Sequence, residues 1–204
     1  MKNNQLPAVL PVLFGFFIMG FCDVVGITST HVKTDFGLTD TMSNLIPVAL
    51  FSMFLLFSIP TGMLMNVIGR KRTVLLSNVI TVIAMFLPLL GYTFIICLIA
   101  FALLGIANTI LQVSLNPLLT NVVEGNRLSS NITAGQFVKA ISSFCGPFIA
   151  AYAASKLGNW QYIFPIYAVI TLISTVWLMA TPIQEEAVIQ KASSFAGVFL
   201  LLKD

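Results

Sequence analysis

Long uncharged apolar runs alternate along this chain with short charged clusters. Between Lys2 and Asp23 stand 20 uncharged residues, and between Asp40 and Arg70 another 29. From Thr73 to Val123 the run is 51 residues, and from Leu157 to Gln184 it is 28. Between Arg127 and Lys156 lie 28 positions broken only by Lys139. One helical crossing of a hydrocarbon layer about 30 Å thick takes about 20 residues. The 51-residue run therefore suits two crossings, with a turn at Gly91-Tyr92-Thr93 in its middle. The pattern predicts six spans, near Leu6–Thr30, Met42–Val67, Thr73–Leu90, Phe94–Asn121, Ser129–Ser155 and Trp160–Thr181. The runs are continuously apolar, without the period of two expected of barrel strands, so the spans are predicted to be helices. Prolines at 47, 60, 88, 117, 147 and 165 do not disturb this expectation. Neighbouring helices in a bundle satisfy the carbonyls that they free.

Composition narrows the class. Of 204 residues, 58% are hydrophobic and 8% charged, where a soluble domain carries about 25% charged residues. Such a surface could not be solvated as a globule, which excludes a soluble enzyme, a nucleic-acid binder and a disordered chain. The lipid bilayer is the expected solvent. Lys and Arg then set the orientation. With the N-terminus inside, the cytoplasmic side holds Lys2, Arg70, Lys71, Arg72, Arg127, Lys191 and Lys203. The outer side holds only Lys33 and Lys156, and both ends of the chain are cytoplasmic. Cys22, Cys97 and Cys145 all fall inside spans and read as buried thiols, with no disulfide or metal framework. No cofactor is expected. The first apolar stretch is longer than a secretory signal core and has no convincing cleavage site before Asp23. Residues 1–181 form the predicted six-helix bundle. Residues 182–204 read as the start of a cytoplasmic linker, with Phe195, Phe199 and Leu202 on one face of a short interfacial helix.

Charge at membrane depth is costly, at least about 2.5–3.5 kcal/mol per residue on insertion scales. Asp23 in the first span and Lys139 in the fifth therefore stand out as cavity-facing candidates. Each could instead snorkel to an interface, or the two could pair with each other. Uncharged polar residues cluster as well: Asn108, Gln112, Ser114 and Asn116 on the fourth span, and Gln136 one turn before Lys139 on the fifth. Gln112 and Asn116 share a helix face. Amides donate and accept at once, which suits hydroxyl-rich ligands. The competing reading of each amide is as glue between packed helices.

The segment Gly62-Met63-Leu64-Met65-Asn66-Val67-Ile68-Gly69-Arg70-Lys71-Arg72 resembles the signature loop between the second and third helices of the major facilitator superfamily. Its glycines and basic end match, whereas Asn66 and Val67 stand where aspartate and arginine are usual. Gly158-Asn159-Trp160-Gln161-Tyr162-Ile163-Phe164 resembles the superfamily's glycine–tryptophan–phenylalanine start of the sixth helix. Ile110-Leu111-Gln112-Val113-Ser114-Leu115-Asn116-Pro117 is similar to the fourth-helix motif of the fucose-proton symporter and glucose/galactose transporter branch. Ile59-Pro60 with Gly62 to Met65, and Arg127-Leu128 with Asn131 and Gln136, resemble that branch's second- and fifth-helix motifs.

The resemblance implies an all-α polytopic membrane protein, the N-terminal half of a twelve-helix fold built from two inverted three-helix repeats. It implies secondary active transport of a small hydrophilic solute, a sugar, by alternating access. The branch's two proton-coupling carboxylates fall at Gly26 and Gln112, so neither is kept here. Two sugar-site asparagines fall at Asp23 and Lys139, and the fifth-helix glutamine is kept as Gln136. Expected substrate contacts are thus Asp23, Gln112, Gln136 and Lys139, with Asn108 and Asn116 beside them. Asp23 is the proton-coupling candidate, and Gly69, Arg70, Lys71 and Arg72 form the candidate gating loop. Expected partners are a sugar-like substrate, a proton, and a second six-helix half in the cell (inner) membrane. A charged solute such as an amino sugar, sugar acid or drug is the main rival. A six-helix channel and an intramembrane enzyme are weaker rivals, because Asn116-Pro117 lacks the rest of an aquaporin box and no nucleophile–base set is present.

Overall fold

The computed structural model describes residues 6–123 and 128–184. The six expected spans are present as helices long and apolar enough to cross a membrane, at 7–36, 40–68, 70–90, 94–122, 128–156 and 160–180. The first is built from α1 (Leu6–Met19), a 3-10 turn over Gly20–Val24, and α2 (Val25–Phe36). The second joins a short α3 (Asp40–Ser43) to α4 (Leu45–Ile68). The rest are α5 (Arg70–Leu90), α6 (Phe94–Val122), α7 (Leu128–Lys156) and α8 (Ile163–Ala180), the last preceded by a 3-10 turn at Trp160–Tyr162. Residues 185–204 lie outside the described residues, and with them Phe195, Phe199 and Leu202 of the expected interfacial helix.

Helix ends fall where capping chemistry stops the chain rather than where apolar residues stop. The first span runs six residues beyond the expected Thr30, so residues 31–36 are helical as well. It ends at Gly37, whose φ of 60° lets its N–H reach back to Lys33 and Thr34 carbonyls. Thr39 then caps α3 by accepting from the Met42 amide at 3.3 Å, and Thr93 caps α6 from Ile96 in the same way. Gly91 to Thr93 form the expected turn between α5 and α6. Pro47 and Pro165 sit in the first turns of α4 and α8, where no helical hydrogen bond is lost.

The first and fourth spans are the most enclosed, with 67% and 56% of their apolar stretches buried, against 11% for the second and 22% for the fifth. The inner pair is therefore α1/α2 with α6. Helix α5 packs behind α6 and alongside α8; α4 packs on α6, and α7 on α1 and the 3-10 turn. Without a hydrophobic drive between helices in lipid, close approach of small residues supplies much of the cohesion. A Cβ on Gly105 of α6 would lie 2.3 Å from the Leu50 carbonyl oxygen of α4. One on Gly20 would lie 2.7 Å from both the Lys139 carbonyl and Ser142 Cβ of α7. Phe16, Phe21, Phe101, Phe164 and Tyr167 fill the centre, and Phe21 stacks on Tyr167 at 3.9 Å.

Candidate functional site

The 3-10 turn inside the first span carries Asp23. Its neighbours Phe21, Cys22 and Val24 are buried, while Asp23 itself is exposed. The bare backbone at Gly20 brings this turn against α7, and that approach delivers the carboxylate to Ser143. The Ser143 hydroxyl lies 2.5 Å from Asp23 Oδ2 and 3.1 Å from the Lys139 carbonyl one turn earlier on its own helix. The Cys22 thiol lies 3.3 Å from Asp23 Oδ1.

Lys139 is half-buried and Gln136 exposed, one turn apart on α7. Asp23, Ser143, Lys139 and Gln136 thus lie where the first and fifth spans meet. A direct Asp23–Lys139 ion pair, open as an expectation, is not made: among the described residues the only ion pair is Lys33 with Asp40 at 2.5 Å. The Ser143 hydroxyl and Cys22 thiol occupy the Asp23 oxygens instead. On α6, Gln112 and Asn116 are half-buried, and Asn116 Oδ1 has no hydrogen-bond partner. Asn108 is 4% exposed with its amide nitrogen unpartnered, so it sits within the bundle rather than on the surface holding Asp23. Among the described residues no group of three or more His, Cys, Asp or Glu could hold a metal ion.

Of the candidate gating residues, only Gly69 lies outside a helix; its φ of 90° makes the sharp link between α4 and α5. Arg70, Lys71 and Arg72 form the first turn of α5. The Arg70 guanidinium reaches the end of α6, bonding the Pro117 carbonyl at 3.1 Å, Thr120 Oγ1 at 3.0 Å and Asn121 Oδ1. Lys71 bonds the Met179 and Thr181 carbonyls at 3.1 and 2.8 Å. Both cations therefore cap C-terminal helix ends, where unpaired carbonyls and the helix dipole favour positive charge.

At the opposite end of the bundle, Asp35 Oδ2 accepts from the Tyr92 hydroxyl at 2.6 Å and from Trp160 Nε1 at 3.0 Å. His31 stacks on Trp160 with ring centres 4.6 Å apart. Burial, reinforced by the bond to Asp35, pushes the Tyr92 hydroxyl above its ordinary range. Neither this junction nor Ser143 was singled out in the sequence. Ser143 does carry a signal, lying four residues after Lys139 and seven after Gln136 on one helix face.

Six helices long and apolar enough to cross a membrane define a multi-pass membrane protein. The chain belongs to the Major Facilitator Superfamily, whose family profile matches residues 11–203. It is a family of transporters, not of enzymes. Over 154 residues the chain is 30% identical to the glucose/galactose transporter of Brucella abortus biovar 1 (strain 9-941), with the same figures for strain 2308. That match covers 74% of this chain and 37% of the relative, so the chain spans less than half the length of the curated relatives it matches. Two solved structures share the fold, each with a TM-score of 0.72. The peptide transporter POT in complex with sulfate is 15% identical, covering 85% of this chain and 37% of that one. The proton:xylose symporter XylE bound to 6-bromo-6-deoxy-D-glucose is 18% identical, covering 89% and 46%.

Proposed function

We propose that this chain is the N-terminal half of a secondary active transporter that moves a sugar across the cell membrane by alternating access, with Asp23 carrying a coupled proton. The observation that carries the reading is the exposed Asp23 carboxylate in the interrupted part of the first span, beside Ser143, Lys139 and Gln136. The glucose/galactose transporters at 30% identity supply the solute class.

In this reading the sugar sits near the midplane between two halves. An ionised Asp23 accepts hydrogen bonds from sugar hydroxyls, Lys139 donates them, and the amides of Gln136 and Gln112 do both. Asn116 contributes its unpartnered oxygen, and Asn108 supports the wall from behind. Protonation removes the charge at Asp23 and turns an acceptor into a donor, so the solute and the proton alter one another's affinity at this one group. The far wall of the cavity comes from six further helices packing on α4 and α7, the two spans least covered here. The Arg70 end lies in the cytoplasm, following the bias of Lys and Arg.

The deciding experiment uses the full-length protein in proteoliposomes. Saturable uptake of glucose or galactose should respond to an imposed proton gradient, and D23N should lose that response. Gradient-driven accumulation that persists in D23N removes Asp23 from the proton path. One observation favours a second reading, a charged solute: in this structure Asp23 and Lys139 do not neutralise each other. Uptake of an amino sugar or sugar acid in place of neutral hexoses would establish it. Residues 1–204 alone should show no saturable uptake.

A further inference from the structure

All but one of the exposed positions of α5 draw a single line, Leu89 lying beside it. Arg72, Leu76, Val79, Ile83, Phe86 and Leu90 recur at intervals of three and four residues, so they share one face of the helix. From Arg72 to Leu90 the rise is about 27 Å at about 1.5 Å per residue. That is close to the full hydrocarbon thickness of about 30 Å. The stripe therefore spans the apolar layer and puts Arg72 at headgroup level. Beside it, α8 exposes Val169, Leu172, Ile173, Val176 and Met179. Lys71 fixes the two helices in register by bonding the Met179 and Thr181 carbonyls. The result is one apolar band over two helices, with a guanidinium at its rim.

The three cations at the start of α5 differ in use. Arg70 and Lys71 are consumed by the ends of α6 and α8, whereas among the described residues no hydrogen bond or ion pair engages Arg72. Neither α5 nor α8 contains an Asp or Glu. A second copy of the same face would therefore bring no acid to Arg72 and would bury an unpaired charge, which is strongly unfavourable. A phosphate group matches the fork of a guanidinium through two parallel hydrogen bonds.

We propose that Arg72 and the α5–α8 band form a binding site for an anionic phospholipid, its phosphate on the guanidinium and its acyl chains along Leu76, Val79 and Ile83 and the α8 stripe. The site lies away from the surface holding Asp23 and does not depend on which solute is moved. A single surface cation is worth about 1 kcal/mol toward an anionic headgroup, or about fivefold in preference.

The test is native mass spectrometry of the full-length protein, released from nanodiscs of equal phosphatidylglycerol and phosphatidylcholine. The parent should retain phosphatidylglycerol about fivefold more than phosphatidylcholine in its tightest-held lipid. R72Q should retain the two equally, R72K should keep part of the preference, and K156Q, which removes a charge at the opposite end of the bundle, should keep all of it. No preference in the parent overturns the proposal. So does an unchanged preference in R72Q. Equal losses in R72Q and K156Q would reduce the effect to net charge and also overturn it. Should R72Q not fold, salt decides on the parent alone: a preference surviving about 1 M salt is no contact between charges.

Discussion

Gly105 should be the least replaceable small residue in the bundle. A methyl group there would sit 2.3 Å from the Leu50 carbonyl oxygen and 3.0 Å from that residue's Cα and carbonyl carbon. Ordinary contact begins near 3.4 Å, so α4 and α6 would have to part by roughly 1 Å. The obstruction is backbone and cannot rotate aside, as the Leu115 side chain facing Gly15 can. Overpacking of this kind costs about 1–3 kcal/mol, and the upper end applies where neither side yields. The intrinsic helix preference of alanine over glycine, about 1 kcal/mol, offsets part of it. A net loss of about 1–2 kcal/mol lowers the unfolding midpoint by about 2–8 °C for a bundle of this size. The assay is thermal unfolding of the detergent-solubilised protein, followed by fluorescence size-exclusion chromatography. The comparison is G26A, because a Cβ on Gly26 meets nothing within 4 Å. That variant gains the helix preference without the clash and should be equal to the parent or more stable. If G105A matches G26A, the α4–α6 contact is looser than described and the reasoning fails.

Three further outcomes are expected. D35A leaves the buried indole of Trp160 without an acceptor and should lower stability by about 1–3 kcal/mol, while D35N, which keeps an acceptor oxygen, should recover most of it in the same thermal assay. R70A should impair membrane insertion and bundle stability more than substrate affinity, because its partners are α6 groups far from Asp23; a binding defect in a normally inserted protein would contradict this. In a stability cycle of D23N and K139N the two losses should add within about 0.5 kcal/mol, since no ion pair joins the residues. Stronger coupling would mean that the pair forms in another state of the cycle.

The six spans were legible because lipid tolerates few charges, so gaps between charged residues translate directly into crossings. Their ends were less so. His31 to Phe36 is a polar stretch that reads as a loop, yet an α-helix at an interface can present polar residues to water and continue until a left-handed glycine stops it. Asp23 and Lys139 could be picked out because each breaks an apolar run. Ser143 carried only its spacing from Gln136 and Lys139 as a signal, a weak one, since serine within a helix commonly bonds the carbonyl four residues back, as Ser143 also does. Tyr92 and Trp160 were marked in the sequence only as a turn and a motif residue, and nothing linked them to Asp35: the members of this junction are separated by 57 and 125 positions and meet only through the packing of three spans.

That separation bears on how the protein is made. Asp35 leaves the ribosome early, and Tyr92 can reach it once the third and fourth spans are in place. Trp160 arrives last, at the start of the sixth. Until then the carboxylate has only half of its partners, and the Asp35 end of the bundle is not closed. The junction therefore records whether all six spans have been inserted. A chain arrested before Trp160 should expose this unfinished end to quality-control proteases, whereas one extended through α8 should be protected.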